Sequence, residues 1–125
     1  MNDPYQYFGM LSAEMHRAIR LVVDTGLHAK GWTREQAIQY SLDHEAESEA
    51  SIVAEIERYM ALPGQALSYK VGQLKIRELR ERSEKTLGAR FDVREFHDRV
   101  LESGCVPLKV LEQKINRWIR QKGNG

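Results

Sequence analysis

The chain reads as all-α: about six helices packed as an irregular bundle, with no sheet. Three observations predict this. Apolar residues recur at helical spacing in every periodic window, such as Leu11, Met15, Ala18 and Val22. Helix punctuation separates the windows, with Gly26, Gly31, Pro63-Gly64, Gly88, Gly104 and Pro107 at or near the joints. No window alternates apolar and polar residues as a half-buried strand would.

The elements follow in order. Leu11, Met15, Ala18 and Val22 place a first helix from about Phe8 to about Thr25, its end bracketed by Gly26 and Gly31. Thr33 and Gln36 form a capping-box pattern that opens a second helix through about His44. Ile52, Ile56 and Tyr59 mark a third, which ends before Pro63. The fourth runs from Pro63 to about Leu87, with Gly88 as its cap. Its second half holds Glu78/Arg82 and Glu81/Lys85 as i, i+4 pairs in the favourable order. Asp92 and Glu95 form another capping box, flanked by Phe91 and Phe96 at the staple positions. That fifth helix should end at Gly104. Pro107 opens the sixth, with Leu108, Leu111, Ile115 and Trp118 on one face, and the tail from Gln121 to Gly125 should fray.

The segment from Arg58 to Gly72 is the most informative. After Pro63-Gly64 the helix carries two stripes: Gln65, Tyr69 and Gly72 with Ser68 on one side, Leu67, Val71 and Leu74 on the other. Such a helix is expected to be covered on both sides. Gly72 in a helix costs roughly 1 kcal/mol relative to Ala, and a tight helix–helix contact is the simplest reason for it.

Bulk properties narrow the function. A chain of 125 residues suits one domain and one core, a single helical domain over 1–125. With 42% hydrophobic and 30% charged residues it is globular in composition rather than disordered. The net charge of +1, with acidic and basic residues interspersed, supplies no field for nucleic acid or membrane. The charged run from Lys75 to Lys85 alternates in sign and lacks aromatic residues, so it reads as a solvated face. The start Met1-Asn2-Asp3-Pro4-Tyr5 has no signal-peptide pattern, and nothing approaches the roughly 20 apolar residues of a membrane span. Cys105 is the single cysteine and reads as incidental.

No metal site can be assembled. His44-Glu45-Ala46-Glu47-Ser48 begins like a zinc-peptidase motif, but Ser48 stands where the second histidine is needed. His16, His28 and His97 have no partner at ligand spacing. Arg17, Arg20, Asp24 and His28 form a polar stripe on the first helix, best read as a solvated face with an Arg–Asp pair. Tyr59 lies on an apolar stripe and needs a partner for its hydroxyl. Tyr69 is the better candidate for a hydroxyl pointing into a cavity, and Arg58 can present a cation to a carboxylate. None of this makes a nucleophile, base and orienter set.

Three segments nevertheless carry a resemblance. They are Arg17-Ala18-x-Arg20-Leu21-Val22-Val23-Asp24-Thr25-Gly26-x-His28-x-x-Gly31-Trp32-Thr33-x-Glu35-Gln36-Ala37; Glu57-Arg58-Tyr59-x-x-x-Pro63-Gly64-Gln65-Ala66-x-x-Tyr69-Lys70-x-Gly72; and Phe91-Asp92-x-Arg94-x-Phe96-His97-Asp98 with Gly104-x-x-Pro107-Leu108-x-x-Leu111. From Asp3 to Trp118 the chain resembles the C-terminal part of a bacterial family of unknown function. Its full-length members are helical, zinc-peptidase-like proteins. The resemblance implies that a metal motif and a glutamate ligand lie upstream of this region. This chain would then be roughly the last fifth of a full-length member, with no cofactor of its own and with zinc held by the missing half. On that reading His28, Tyr59 and Tyr69 are donors for a transition-state oxyanion. Arg17, Arg20, Arg58 and Gln65 are substrate-binding residues. Arg58-Tyr59 is also similar to the Arg-Tyr pair of helical carboxypeptidases of the angiotensin-converting type. The expected partners are the missing N-terminal catalytic portion, with a peptide substrate, or a second copy docking through an exposed apolar face. Nucleic acid is not among them. The alternative function is a stand-alone interaction module. The compartment stays open, export of the full-length relatives included.

Overall fold

The computed structural model describes residues 3–124, and Met1, Asn2 and Gly125 lie outside it. Six α-helices account for nearly all of these residues, with no strand among them: α1 (Pro4–Ala29), α2 (Arg34–His44), α3 (Glu49–Ala61), α4 (Gln65–Leu87), α5 (Val93–Leu101) and α6 (Leu108–Gly123). A short 3₁₀ turn, Gly88–Arg90, follows α4. The chain forms two compact units, residues 1–71 and 72–125. The single core that the length suggested is replaced by two buried clusters, one in each unit.

In the first unit, Ile19 and Val23 of α1, Ala37 of α2, Ile52, Ile56 and Tyr59 of α3 and Ala66 of α4 form the buried cluster. Each large aliphatic side chain buried there contributes about 1.5–3 kcal/mol. The local signals act as expected at α2, where Thr33 and Gln36 make both bonds of the capping box. On α1 the periodic residues that mark the helix are not its buried face. Leu11, Met15 and Val22 are exposed, and the buried stripe is Ile19, Val23 and Gly26. Helical spacing identifies a helix but not which of two apolar stripes finds a partner.

α1 also runs past Gly26 to Ala29, so that glycine is interior rather than terminal. It is buried against the Trp32 ring, and a Cβ there would stand 2.4 Å from Trp32 Cδ2. The Trp32 amide closes the turn by donating to the Gly26 carbonyl at 2.9 Å.

The start of α4 lacks a Ser, Thr, Asp or Asn of its own to satisfy its free amides. Asp24 of α1 does this from 40 residues away. Its carboxylate accepts from Gly64 N and Leu67 N, both at 3.1 Å, and is 1% exposed. The polar stripe expected to be a solvated face is therefore split, with Asp24 buried as a helix cap. Gly64 (φ +83) supplies the left-handed residue at the α3–α4 turn. Lys70 pairs with Glu14 of α1.

The two-sided cover expected for early α4 is not present. Tyr69, Val71 and Leu74 are exposed, and so are Gln65 and Ser68. Nothing lies within 4 Å of a Cβ built on Gly72, so close packing does not account for that glycine.

In the second unit, Leu79 and Leu87 of α4, Phe96 of α5 and Leu111, Ile115, Trp118 and Ile119 of α6 are buried together. Asp92 caps α5 by accepting from Arg94 N and Glu95 N at 2.8 and 3.3 Å. Phe91 and Phe96 meet at 6.1 Å between ring centroids, as a staple should. Glu95 does not close the capping box. Its carboxylate accepts instead from Trp118 Nε1 at 2.6 Å and pairs with Lys122, a longer-range demand that outcompetes the local one. α6 extends to Gly123, where the carbonyl accepts from Arg90 Nη1 at 2.9 Å, so the expected fraying does not begin at Gln121; Gly125 lies outside the described residues. Among the described residues no helix is long and apolar enough to cross a membrane.

Candidate functional site

A polar cleft of about 370 Å³ opens in the first unit, lined by residues of α1, α2, α3 and the α2–α3 connection. Its functional groups come from Arg20, Glu45, Glu55, Arg58, Tyr59 and His16. α3 positions three of them through a single turn. Glu55, Arg58 and Tyr59 stand at i, i+3 and i+4, so they share one face. Arg58 Nε and Nη2 donate to the two Glu55 oxygens at 3.2 and 2.5 Å, and Tyr59 Oη donates to Glu55 Oε2 at 2.8 Å. Arg58 Nη1 reaches forward to Gln65 Oε1 at 2.6 Å. The Arg58 guanidinium beside Glu55 holds that carboxyl below its usual range, with the Tyr59 hydroxyl acting the same way against burial. Burial, and then the Glu55 acceptor, push the Tyr59 hydroxyl above its ordinary range. The trio is thus a charged, oriented group with Tyr59 held as a phenol.

His16 Nδ1 lies 2.6 Å from Glu45 Oε2. An ionised carboxylate only accepts, so that nitrogen carries the proton. This pair joins α1 to the segment after α2 across 29 residues.

Arg20 differs from the other cations that line the cleft. Its guanidinium carbon sits 5.4 Å from the Tyr59 ring centroid and 4.7 Å from that of Tyr69. Arg58 stands 5.3 Å from the Tyr59 ring. Arg58, Tyr59, Arg20 and Tyr69 therefore alternate cation and ring. Arg58 has its carboxylate, whereas Arg20 has none within ion-pair distance among the described residues, and its Nε is buried without a hydrogen-bond partner.

The cleft brings together three of the residues singled out in the sequence, Arg20, Arg58 and Tyr59, with Gln65 attached through Arg58. The others lie elsewhere. Arg17 is exposed and donates to its own helix at Ala13 O, 3.0 Å away. His28 donates from Nε2 to the Tyr59 carbonyl at 2.9 Å and does not line the cleft. Tyr69 is 57% exposed, so its hydroxyl does not point into a cavity; its ring flanks Arg20 instead. His44 stacks on Tyr40 at 4.2 Å between centroids and bonds the Tyr40 carbonyl. Sequence reasoning misses His16, Glu45 and Glu55. The Glu55 spacing to Arg58 and Tyr59 is a usable signal, whereas nothing local marks the His16–Glu45 pair.

Among the described residues no three His, Cys, Asp or Glu side chains converge to hold a metal ion. The donors present do not fit a zinc site, since Glu45 is taken up by His16 and Glu55 by Arg58 and Tyr59. Chemically, the arrangement can hold an anion and orient hydrogen-bond donors.

Comparison with known proteins gives two findings. Residues 1–115 match the family described as "Bacterial protein of unknown function (DUF885)". The fold is similar to the crystal structure of "the putative lipoprotein from Colwellia psychrerythraea", with 57% identity and a TM-score of 0.91. That similarity covers 96% of this chain and 20% of the other, so the chain spans about one fifth of the solved relative. No curated protein matches.

Proposed function

This chain belongs to that bacterial family of unknown function, and we propose that its helices form one wall of the substrate cleft in a larger, zinc-peptidase-like protein. By itself the wall has no catalysis. One observation carries the reading. Apolar stripes that a complete core would use, Leu11, Met15 and Val22 on α1 and Val71 and Leu74 on α4, are open, on a chain that spans a fifth of its solved relative. Contiguous apolar surface of this kind marks a place where another element docks. The rest of a longer chain is the natural cover.

In this role the residues bind and orient. Arg58, braced by Glu55 and Gln65, keeps one guanidinium geometry and adds positive potential. Tyr59 holds its proton on Glu55 at neutral pH. Zinc, with the chemistry of activating a water, would lie wholly in the remainder of the protein. The lipoprotein description of the solved relative supports an exported parent protein.

The test is made on the full-length protein. One zinc per chain and hydrolysis of unstructured peptides are expected, and Arg58→Ala should lower kcat/KM by about tenfold to a hundredfold through the loss of a charged, hydrogen-bonded group. Absence of bound metal together with absence of peptide hydrolysis rejects the reading.

A second reading, an interaction module without catalysis, is favoured by one feature. An apolar groove of about 500 Å³ along α1 is lined by Phe8, Leu11, Met15, His16, His44 and Ala46, among others. Sedimentation of the 125-residue chain separates the two. A chain that stays monomeric across the concentration range counts against the module.

A further inference from the structure

We propose that Arg20 is the anchor for a single carboxylate, the terminal carboxylate of a bound peptide being the ligand that fits it best. The proposal rests on the cleft-wall reading only for the ligand being a peptide; the anion site stands on Arg20 itself.

The charges around the cleft show why. His16 is matched to Glu45, and Arg58 to Glu55. Glu47 is exposed on the α2–α3 connection, where water solvates it. Of the cleft cations, Arg20 alone has no carboxylate within ion-pair distance among the described residues. It is not a solvated surface side chain either, because its Nε is buried without a partner. A buried donor left without an acceptor is uncommon in a folded protein, and a ligand oxygen that reaches the guanidinium would account for it. Two tyrosine rings flank the guanidinium, with centroids 5.4 and 4.7 Å from its central carbon. A group engaged in this way offers its N–H edge, and that edge matches the two oxygens of a planar carboxylate.

Charge also selects the ligand. Arg20 presents one guanidinium in a cleft that three glutamates also line, so a monoanion meets less repulsion there than a dianion. A phosphate dianion would meet Glu45, Glu47 and Glu55 with excess negative charge. Arg58 cannot supply a second cation without releasing Glu55 and, with it, the Tyr59 hydroxyl.

The experiment uses the 125-residue chain and reads the Arg20 Nε–Hε resonance by ¹⁵N NMR. Four probes are titrated: an N-acetylated dipeptide with a free C-terminus, its C-terminal amide, a terminally blocked aspartyl peptide, and inorganic phosphate. The free carboxylate is expected to shift the Arg20 resonance saturably, with the amide about tenfold weaker or worse. Added salt should weaken the shift. Arg20→Gln should remove binding, and Arg20→Lys should keep the charge but lose the two-point contact. An aspartyl peptide that binds equally well extends the site to side-chain carboxylates, such as one presented by the remainder of a longer protein; the carboxylate assignment stands in either case. Equal binding of the amide, tighter binding of phosphate, or an Arg20 resonance unmoved at saturation overturns the proposal. These readouts need no peptidase activity. Carboxylate binding at Arg20 with an inactive full-length protein rejects the peptidase reading alone, and the converse result rejects the anchor alone.

Discussion

The first compact unit holds six basic and ten acidic residues, and the second thirteen and eight. The interspersion inferred from the whole chain therefore conceals an acidic unit and a basic one. They also use their charges differently. In residues 1–71, charged groups are drawn inside. Asp24 is buried as the cap of α4, and Arg20 buries its Nε, with its guanidinium carbon 5.4 and 4.7 Å from two tyrosine rings. In residues 72–125 the ion pairs stay at the surface. Lys75, Glu78, Arg82 and Glu112 form a mesh between α4 and α6, with Lys75–Glu112 and Arg82–Glu112 both at 3.0 Å. A buried charge is costly unless matched, so it reports a specific demand, whereas a surface pair contributes little and is screened by salt. The first unit therefore carries the candidate site; in the second, Arg99 Nε is also buried without a partner, but that side chain is already paired with Glu102.

Four measurements can break or sharpen this contrast. The largest effect concerns the two cores. Phe96→Ala and Ile56→Ala each empty the centre of one cluster and should cost about 2–5 kcal/mol. If the clusters stabilise their units separately, hydrogen exchange will show amides of 72–125 deprotected by the first change and those of 1–71 by the second. Uniform deprotection from either change would mean that the units unfold as one.

Next come the caps. Asp24→Ala strips two amides of a charged acceptor inside the protein and should cost about 2–3 kcal/mol. Asp92→Ala removes an exposed cap and should cost clearly less. Denaturant midpoints of the two variants check the order; equal losses would erase the distinction between buried and exposed charge.

The two helical glycines should respond with opposite signs. Gly72→Ala has open space and should stabilise by about 0.5–1 kcal/mol. Gly26→Ala gains the same helix propensity but drives its Cβ into the Trp32 ring, for a net loss of about 1 kcal/mol or more. Thermal unfolding of both variants decides it.

The smallest effect is in acid. Glu78, Asp92, Glu95, Glu102 and Glu112 in the second unit have lowered pKa values, each owing chiefly to a hydrogen-bonded partner. In the first unit Glu55 is lowered, by Arg58. A lowered folded-state pKa contributes stability that is present above the unfolded value of about 4 and lost as pH falls through the folded one. Between about pH 5 and pH 2 the second unit should therefore lose more protection, and added salt should narrow the difference. Equal loss in both units would count against it.

Most of the helical layout is legible in the sequence. Thr33/Gln36, Asp92 with its phenylalanines, and Pro107 mark their helix starts because capping is decided within four residues. The candidate site is half legible. Glu55, Arg58 and Tyr59 stand one turn apart and can all be found by spacing, although only Arg58 and Tyr59 stand out as residue types. His16–Glu45 and the Asp24 cap cannot, because their partners lie 29 and 40 residues away. The absence of a local cap before α4 is the one hint that a distant carboxylate has to supply it.

By itself, then, the sequence determined that the fold is helical, where α2, α5 and α6 begin and which residues carry charge, since those depend on neighbours along the chain. The tertiary structure alone decided which apolar stripe of α1 is buried, that Gly26 is filled by Trp32 while Gly72 faces open space, and that Arg20 has no carboxylate within ion-pair distance among the described residues. Each of these depends on what another helix places within a few ångströms, and periodicity along one helix carries no record of that.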